Sequence, residues 1–329
     1  MTPEAVLERA VSGEATTQAQ RDAVRRWLLC DSSQGELFGV SRATVADVVA
    51  ERLRRLAGVW RAVTARPLEV AGLTETVEVR PDELFRYHLA LAELLGRQAA
   101  TATDRFLVAV AGVPGSGKSV FTTLMARVLA ALAPPFGVAV LGLDGYHYPN
   151  AYLSAHRTPA CVREPGPLKL HKGAPFTFDV GRLVRDLGRL RDGSQTVRLP
   201  AYDRTVHEPA EARITVGPED RLVLVEGNYL LCREGGWRTV PDLFNLKLFL
   251  ELPAGANRGP LVARHMRGGR SREEAERHYE RVDLPNTRWV QATGDEADIV
   301  VALDREHGIA GMRRGKGYQE GHGGGQAPV

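Results

Sequence analysis

"FLVAVAGVPGSGKSVFTTLMARVLAAL", residues 106–132, carries the reading of the fold. Phe106 to Gly112 is a short uncharged apolar run and reads as a strand buried on both faces. After Ser119 the period changes, and Phe121, Leu124, Met125, Val128 and Leu129 recur three and four apart, the stripe of a helix. Between them Gly112, Gly117, Lys118 and Ser119 match the spacing G-x-x-x-x-G-K-S. Glycines let backbone N–H groups close around phosphate oxygens, and the following helix N-terminus adds positive potential. The loop Gly112, Val113, Pro114, Gly115, Ser116, Gly117, Lys118, Ser119 and Val120 is therefore the candidate nucleoside-triphosphate site. Lys118 is expected to reach the β- and γ-phosphates, and the Ser119 hydroxyl to ligate Mg²⁺.

Working outward, further strand candidates are Val138–Leu143, Leu222–Val225, Leu246–Leu250 and Ile299–Leu303, separated by helical patterns. This alternation predicts an α/β fold of the P-loop NTPase kind, with a doubly wound, mainly parallel five-stranded sheet and helices on both faces. Upstream, residues 67–80 read as a small hairpin, and "PDELFRYHLALAELLG" as an amphipathic helix opened by Pro81. Residues 1–62 form a helical extension, 63–304 the nucleotide-binding domain, and 305–329 a Gly-rich tail expected to be disordered. The 43 basic residues against 40 acidic ones leave a mixed surface, which disfavours general nucleic-acid binding. Cys30, Cys161 and Cys232 are widely spaced and read as reduced thiols. With no leader pattern and no long apolar run, a cytoplasmic location is expected.

Two strands end in an acid. Val138–Leu143 stops at Asp144, and "RLVLVEGNYLL" stops at Glu226. In a doubly wound sheet, ligands sit beyond the carboxyl ends of the strands, so both acids are placed near the triphosphate. One would serve as base toward an attacking hydroxyl and the other as metal ligand. The order between them stays open, and for Asp144 a plain turn residue in "DG" is the competing reading. Tyr146, His147, Tyr148 and Asn150 follow Asp144 directly and are expected to face the acceptor. Tyr202, Arg204 and His207 in "PAYDRTVHEP" are expected to form its other wall, with a solvated loop histidine as the alternative for His207. Asp179 is read as a helix cap. Arg258, Arg264, Arg267, Arg270 and Arg272 surround a Gly-Gly break, a pattern suited to a lid, with Arg270 and Arg272 read as solvated partners of nearby glutamates.

Taken together, "GVPGSGKS", "DGYHYPN", "HKGAPFTFD", "YDRTVHEP", "VEGNYLL" and "RH" before "DLPN" resemble the P-loop kinase superfamily of phosphoribulokinase, uridine kinase and type I pantothenate kinase. The resemblance spans about residues 66–303 and is strongest to the bacterial nucleoside/nucleotide kinase-like branch. It implies an ATP-dependent kinase using Mg²⁺ to phosphorylate a hydroxyl of a small metabolite such as a nucleoside, a pantothenate-like compound or a sugar. It also implies Asp144 as base, Glu226 near Mg²⁺, Tyr202 and His207 at the substrate, and Arg264 and Arg267 as lid arginines. The chain departs from the family pattern at Pro260-Leu261, where an Arg-Leu pair is usual, and in the extra segment "TPACVREPGP". The expected partners are the small acceptor and, as a homodimer, a second copy of the chain. An alternative of another class is a nucleotide-binding regulator: "FGVSRATVADVVAERLRRL" has the outline of a helix-turn-helix, with Arg42, Arg52, Arg54 and Arg55 facing phosphate.

Overall fold

The computed structural model describes residues 1–70, 73–160 and 165–318. It opens with helices α1 (Pro3–Val11), α2 (Gln18–Leu29), α3 (Ser32–Glu36) and α4 (Val45–Thr64). The hairpin β1 (Leu68–Val70) and β2 (Leu73–Glu75) follows, then α5 (Pro81–Glu83), which runs through a π turn at Leu84–His88 into α6 (Leu89–Thr101). Next come β3 (Phe106–Gly112), α7 (Lys118–Ala131), β4 (Gly137–Gly142), α8 (Asn150–Ala155) and α9 (Val180–Asp192). A second hairpin, β5 (Val197–Asp203) and β6 (Glu208–Val216), leads to β7 (Asp220–Glu226) and β8 (Leu246–Glu251). The lid region holds α10 (Arg258–Arg267), α11 (Arg272–His278), a π turn at Tyr279–Asp283 and α12 (Leu284–Ala292), before β9 (Ile299–Leu303) and β10 (Ile309–Arg314).

The main sheet has the order β10-β9-β8-β3-β7-β4, with all pairings parallel except β9–β10. Every residue of the central strand β3 is buried, as its uninterrupted apolar run requires. Helix α7 lays Phe121, Leu124, Met125, Val128 and Leu129 into the core, and truncating one of its leucines to Ala costs about 2–5 kcal/mol. The sheet has six strands where five were expected. The sixth, β10, lies in the segment read as tail, because its pattern is concealed by a bulge. The register shifts between Ile309 and Gly311, so the inward residues Ile309 and Met312 stand three apart instead of two. The rest of the expected tail, from residue 319, lies outside the described residues, as does Cys161; Cys30 and Cys232 are free thiols.

The first 62 residues are mainly helical and share the core rather than standing apart. Helix α4 packs on α7, α1 and α2 pack on α4, and α3 meets β10. The helix-turn-helix reading fails on Arg52, whose side chain is 2% exposed and ion-paired with Glu93 of α6 at 3.2 Å. It also donates to Gln34 Oε1 at 2.9 Å, so this arginine clips α4 to α6 and does not face phosphate. Arg54 and Arg55 both pair with Glu51 on their own helix. Among the described residues no helix is long and apolar enough to cross a membrane.

Candidate active site

The phosphate wall is made mostly of backbone. Gly112 ends β3 where a Cβ would stand 2.8 Å from both the Leu250 carbonyl and Ser116 Oγ, so no larger residue fits. Gly115 and Gly117 adopt φ of 77° and 79°, the left-handed region that lets the loop turn back into α7. The N–H groups of the first turn of α7 have no partners within the helix and face the loop's interior. Lys118 is buried, its Nζ donating to the carbonyls of Gly112 at 3.0 Å and Val113 at 2.9 Å. Burial pulls its pKa down to about 8, while Glu226 and Asp144 oppose that shift.

Two acids meet at the ends of β7 and β4, as the strand pattern predicts. Glu226 Oε1 accepts a hydrogen bond from Ser119 Oγ at 2.9 Å. Burial and the neighbouring Asp144 push the Glu226 pKa up, with Lys118 and the Ser119 bond pulling the other way. Asp144 sits in the 3₁₀ turn Leu143–Tyr146, 44% exposed, with Arg204 at 3.5 Å. A serine hydroxyl and a buried carboxylate beside a second carboxylate are hard oxygen donors, and this set fits Mg²⁺.

The turn after Asp144 sorts its side chains by geometry. In a 3₁₀ turn residues three apart eclipse, so His147 falls on the side of Asp144 and Tyr146 on the other. His147 is buried, with Nδ1 3.0 Å from the Asp144 carbonyl and its ring 3.9 Å from Phe178 and 5.7 Å from Tyr202. Its pKa is lowered by burial despite Asp144. Tyr146 corrects the expectation of an acceptor contact. It is 1% exposed, and its hydroxyl donates to Asp186 on α9 at 3.3 Å, which raises its pKa along with burial. Tyr148 stacks on Tyr152, with 4.3 Å between ring centroids. Asn150 is consumed by the scaffold, donating to the His207 carbonyl at 3.1 Å and accepting from Lys172 at 2.9 Å.

Gly145 explains how the β5–β6 hairpin reaches the turn: a Cβ there would lie 2.7 Å from the Pro200 carbonyl. That approach sets Tyr202 beside His147, and burial followed by Asp144 pushes its pKa up to about 12. Lys172, which sequence reasoning missed, stands 5.1 Å over the Tyr202 ring and donates to the His207 carbonyl at 2.7 Å. The side chain of His207 is exposed, at φ 55°, on the rim of the cleft.

The cleft itself is a cavity of about 700 Å³ bordered by the P-loop, Arg204, His207, Arg264 and Arg267. The two lid arginines lie on α10, which docks by Leu261 against Gly115 and by Asn257, whose Nδ2 donates to the Pro114 carbonyl at 3.0 Å. Here the Pro260-Leu261 departure has a packing role. Arg258 lies over Tyr279 and Arg272 pairs with Glu276, but Arg270 donates to His265 rather than to a glutamate. Asp179 caps α9 as expected. At the far end, Val77, Val79, Leu303 and Ile309 make an apolar slot, closed by His307. His307 sits at φ 68° in the β9–β10 turn and donates from Nε2 to the Gly115 carbonyl at 2.9 Å. Only the Asp304 turn, with Gly308 N donating to its carboxylate at 2.9 Å, left a trace of this in the sequence.

No family profile matches the chain. It is 33% identical over 241 residues to the Escherichia coli protein called uncharacterized protein YggC, covering 73% of this chain and 95% of that one. It is also 30% identical over 228 residues to a putative uridine kinase of Schizosaccharomyces pombe, covering 67% of this chain and 89% of the relative. The chain belongs to the P-loop kinase superfamily of phosphoribulokinase, uridine kinase and type I pantothenate kinase. This kinase also superposes on a putative fructose transport system kinase from Silicibacter sp. TM1040, with a TM-score of 0.55 and 32% identity over 62% of this chain and 94% of that one. A Cryptococcus neoformans D-glycerate 3-kinase shares the fold at TM-score 0.52 and 16% identity, covering 69% of this chain and 98% of that one. The kinase is thus a phosphotransferase with an alcohol acceptor, acting on a small molecule.

Proposed function

We propose that the protein transfers the γ-phosphate of ATP·Mg²⁺ to a hydroxyl of a small metabolite of the nucleoside, pantothenate or sugar type. The observation that carries this reading is the Ser119–Glu226 contact at 2.9 Å with Asp144 beside it, three oxygen donors facing a complete P-loop. Mg²⁺, held by Ser119 and Glu226, would neutralise charge on the phosphates. Lys118 binds the β- and γ-phosphates through its ammonium, leaving the Gly112 and Val113 carbonyls. Asp144 takes the proton of the acceptor hydroxyl as the new O–P bond forms and the bond to ADP breaks. Arg264 and Arg267 offset charge on the transferred group, so positioning and electrostatics supply most of the rate. The adenine ring of ATP would fit the apolar slot at Val77, Val79 and Leu303, beside His307.

His147, Tyr202, Arg204 and His207 orient the acceptor, with Lys172 bracing their loop. Relatives and structural neighbours named as a putative uridine kinase, a D-glycerate 3-kinase and a putative fructose transport system kinase are all consistent with a hydroxylated acceptor. The test is ADP release by the purified protein with ATP and Mg²⁺ against a panel of nucleosides, hydroxy acids, pantothenate and sugars. Acceptor-dependent release with one class supports the reading, and none above the acceptor-free rate across the panel counts against it.

A further inference from the structure

Away from the nucleotide cleft, the lid gathers three groups that the phosphoryl-transfer reading does not use. His265 on α10, His278 at the end of α11 and Asp283 at the end of the π turn each place one ligand atom within 4.8 Å of the others. His265 Nε2 lies 2.7 Å from Asp283 Oδ2, with side-chain exposures of 14% and 9%. The His278 ring stands edge-on to His265 at 4.5 Å between centroids. Among the described residues its ring nitrogens take part in no hydrogen bond, and the residue is only 9% exposed. His278 therefore offers a ring nitrogen within reach of a second imidazole and a carboxylate.

We propose that His265, His278 and Asp283 bind a transition-metal dication of the Zn²⁺ type, with water completing the shell. Two imidazoles and one carboxylate are a ligand set that Zn²⁺ takes up in open, three-ligand sites. The same nitrogen-rich set is poor for Mg²⁺, so the site would not compete with the Ser119–Glu226 oxygens for that ion. On binding, the proton on His265 Nε2 moves through solvent to Nδ1, so that Nε2 and the Asp283 carboxylate are both free to take the metal. That tautomer no longer accepts the hydrogen bond from Arg270, which now reaches Nδ1 at 3.0 Å. Arg270 is exposed and follows Gly268 and Gly269, the latter at φ 94°, so its guanidinium has an open route into solvent. Its departure also relieves the charge that a dication would otherwise meet. Arg270 and the metal are thus alternative cations for one acidic corner, and the metal would tie α10, α11 and the π turn together next to Arg264.

The probe is Co²⁺ and Zn²⁺ themselves, added to the full chain after chelator treatment and dialysis. Wild-type protein should take up one Co²⁺ per chain with an intense visible absorption band of tetrahedral or five-coordinate geometry, and Zn²⁺ should displace it. Competition with a chromophoric chelator should then give a Zn²⁺ affinity that falls about 100-fold or more in His278→Ala and in His265→Ala, and that rises in Arg270→Ala. His278→Gln serves where the alanine variant does not fold. Absence of the band at stoichiometric Co²⁺, or equal Zn²⁺ affinity in wild type and both histidine variants, overturns the proposal without reference to kinase turnover.

Discussion

The P-loop and the cluster proposed to hold the acceptor are built by different means. In the first, backbone groups of residues 112–119 do the shaping, and they are clamped between a fully buried strand and a long helix. In the second, side chains from four separate places converge: His147 after β4, Lys172 in a 3₁₀ connection, Tyr202 on a hairpin and Phe178 before α9. A backbone-built wall tolerates loss of any one side chain without losing shape. A wall built from side chains can be retuned residue by residue, and it is therefore the wall expected to carry acceptor choice.

Substitutions can break or sharpen this contrast. The largest effect is expected from Asp144→Asn, which keeps shape but cannot accept the acceptor proton. Turnover should fall about 10²–10⁴-fold with the nucleotide Kd little changed, as calorimetry on wild type and variant would measure. A drop of only a few-fold would make Asp144 a turn residue. Lys118→Ala should follow, with a loss of about 10²–10³-fold in ADP release. Its melting temperature should stay near that of wild type, because glycines and backbone hold the loop. If the variant unfolds instead, the claim of a wall shaped by its backbone is wrong.

A pH titration tests the same lysine without mutation. Burial pulls the Lys118 pKa down to about 8, and bound phosphate favours the charged form, so nucleotide affinity should weaken as pH rises above that value. The Kd of a fluorescent ATP analogue should increase by up to about tenfold per pH unit there, and the slope should vanish in Lys118→Ala. The smallest effect is assigned to the other wall. Tyr202→Phe removes a hydroxyl but keeps the ring under Lys172, so the acceptor KM should rise several-fold while the nucleotide Kd stays put. If both constants move together, the two walls are one site and the contrast fails.

Local pattern alone determined the P-loop, five parallel strands, the acids that end two of them, and the cap on α9. Each is written in contiguous residues: a run of apolar side chains, a glycine spacing, a helical stripe. What only the tertiary structure decided depends on direction and on distant partners. The side of the 3₁₀ turn on which a residue falls separated His147 from Tyr146, although both stand in one aromatic cluster. A bulge hid β10 by breaking its period of two, and with β10 went the turn that carries His307 to Gly115, 192 residues away in the chain. Arg52 could be offered to phosphate in the alternative helix-turn-helix reading because a charged residue on an amphipathic helix looks solvated until another helix supplies its partner. Short-range order leaves periodic marks in a sequence; long-range contacts between single polar groups leave none, since any donor can meet any acceptor once the fold brings them together.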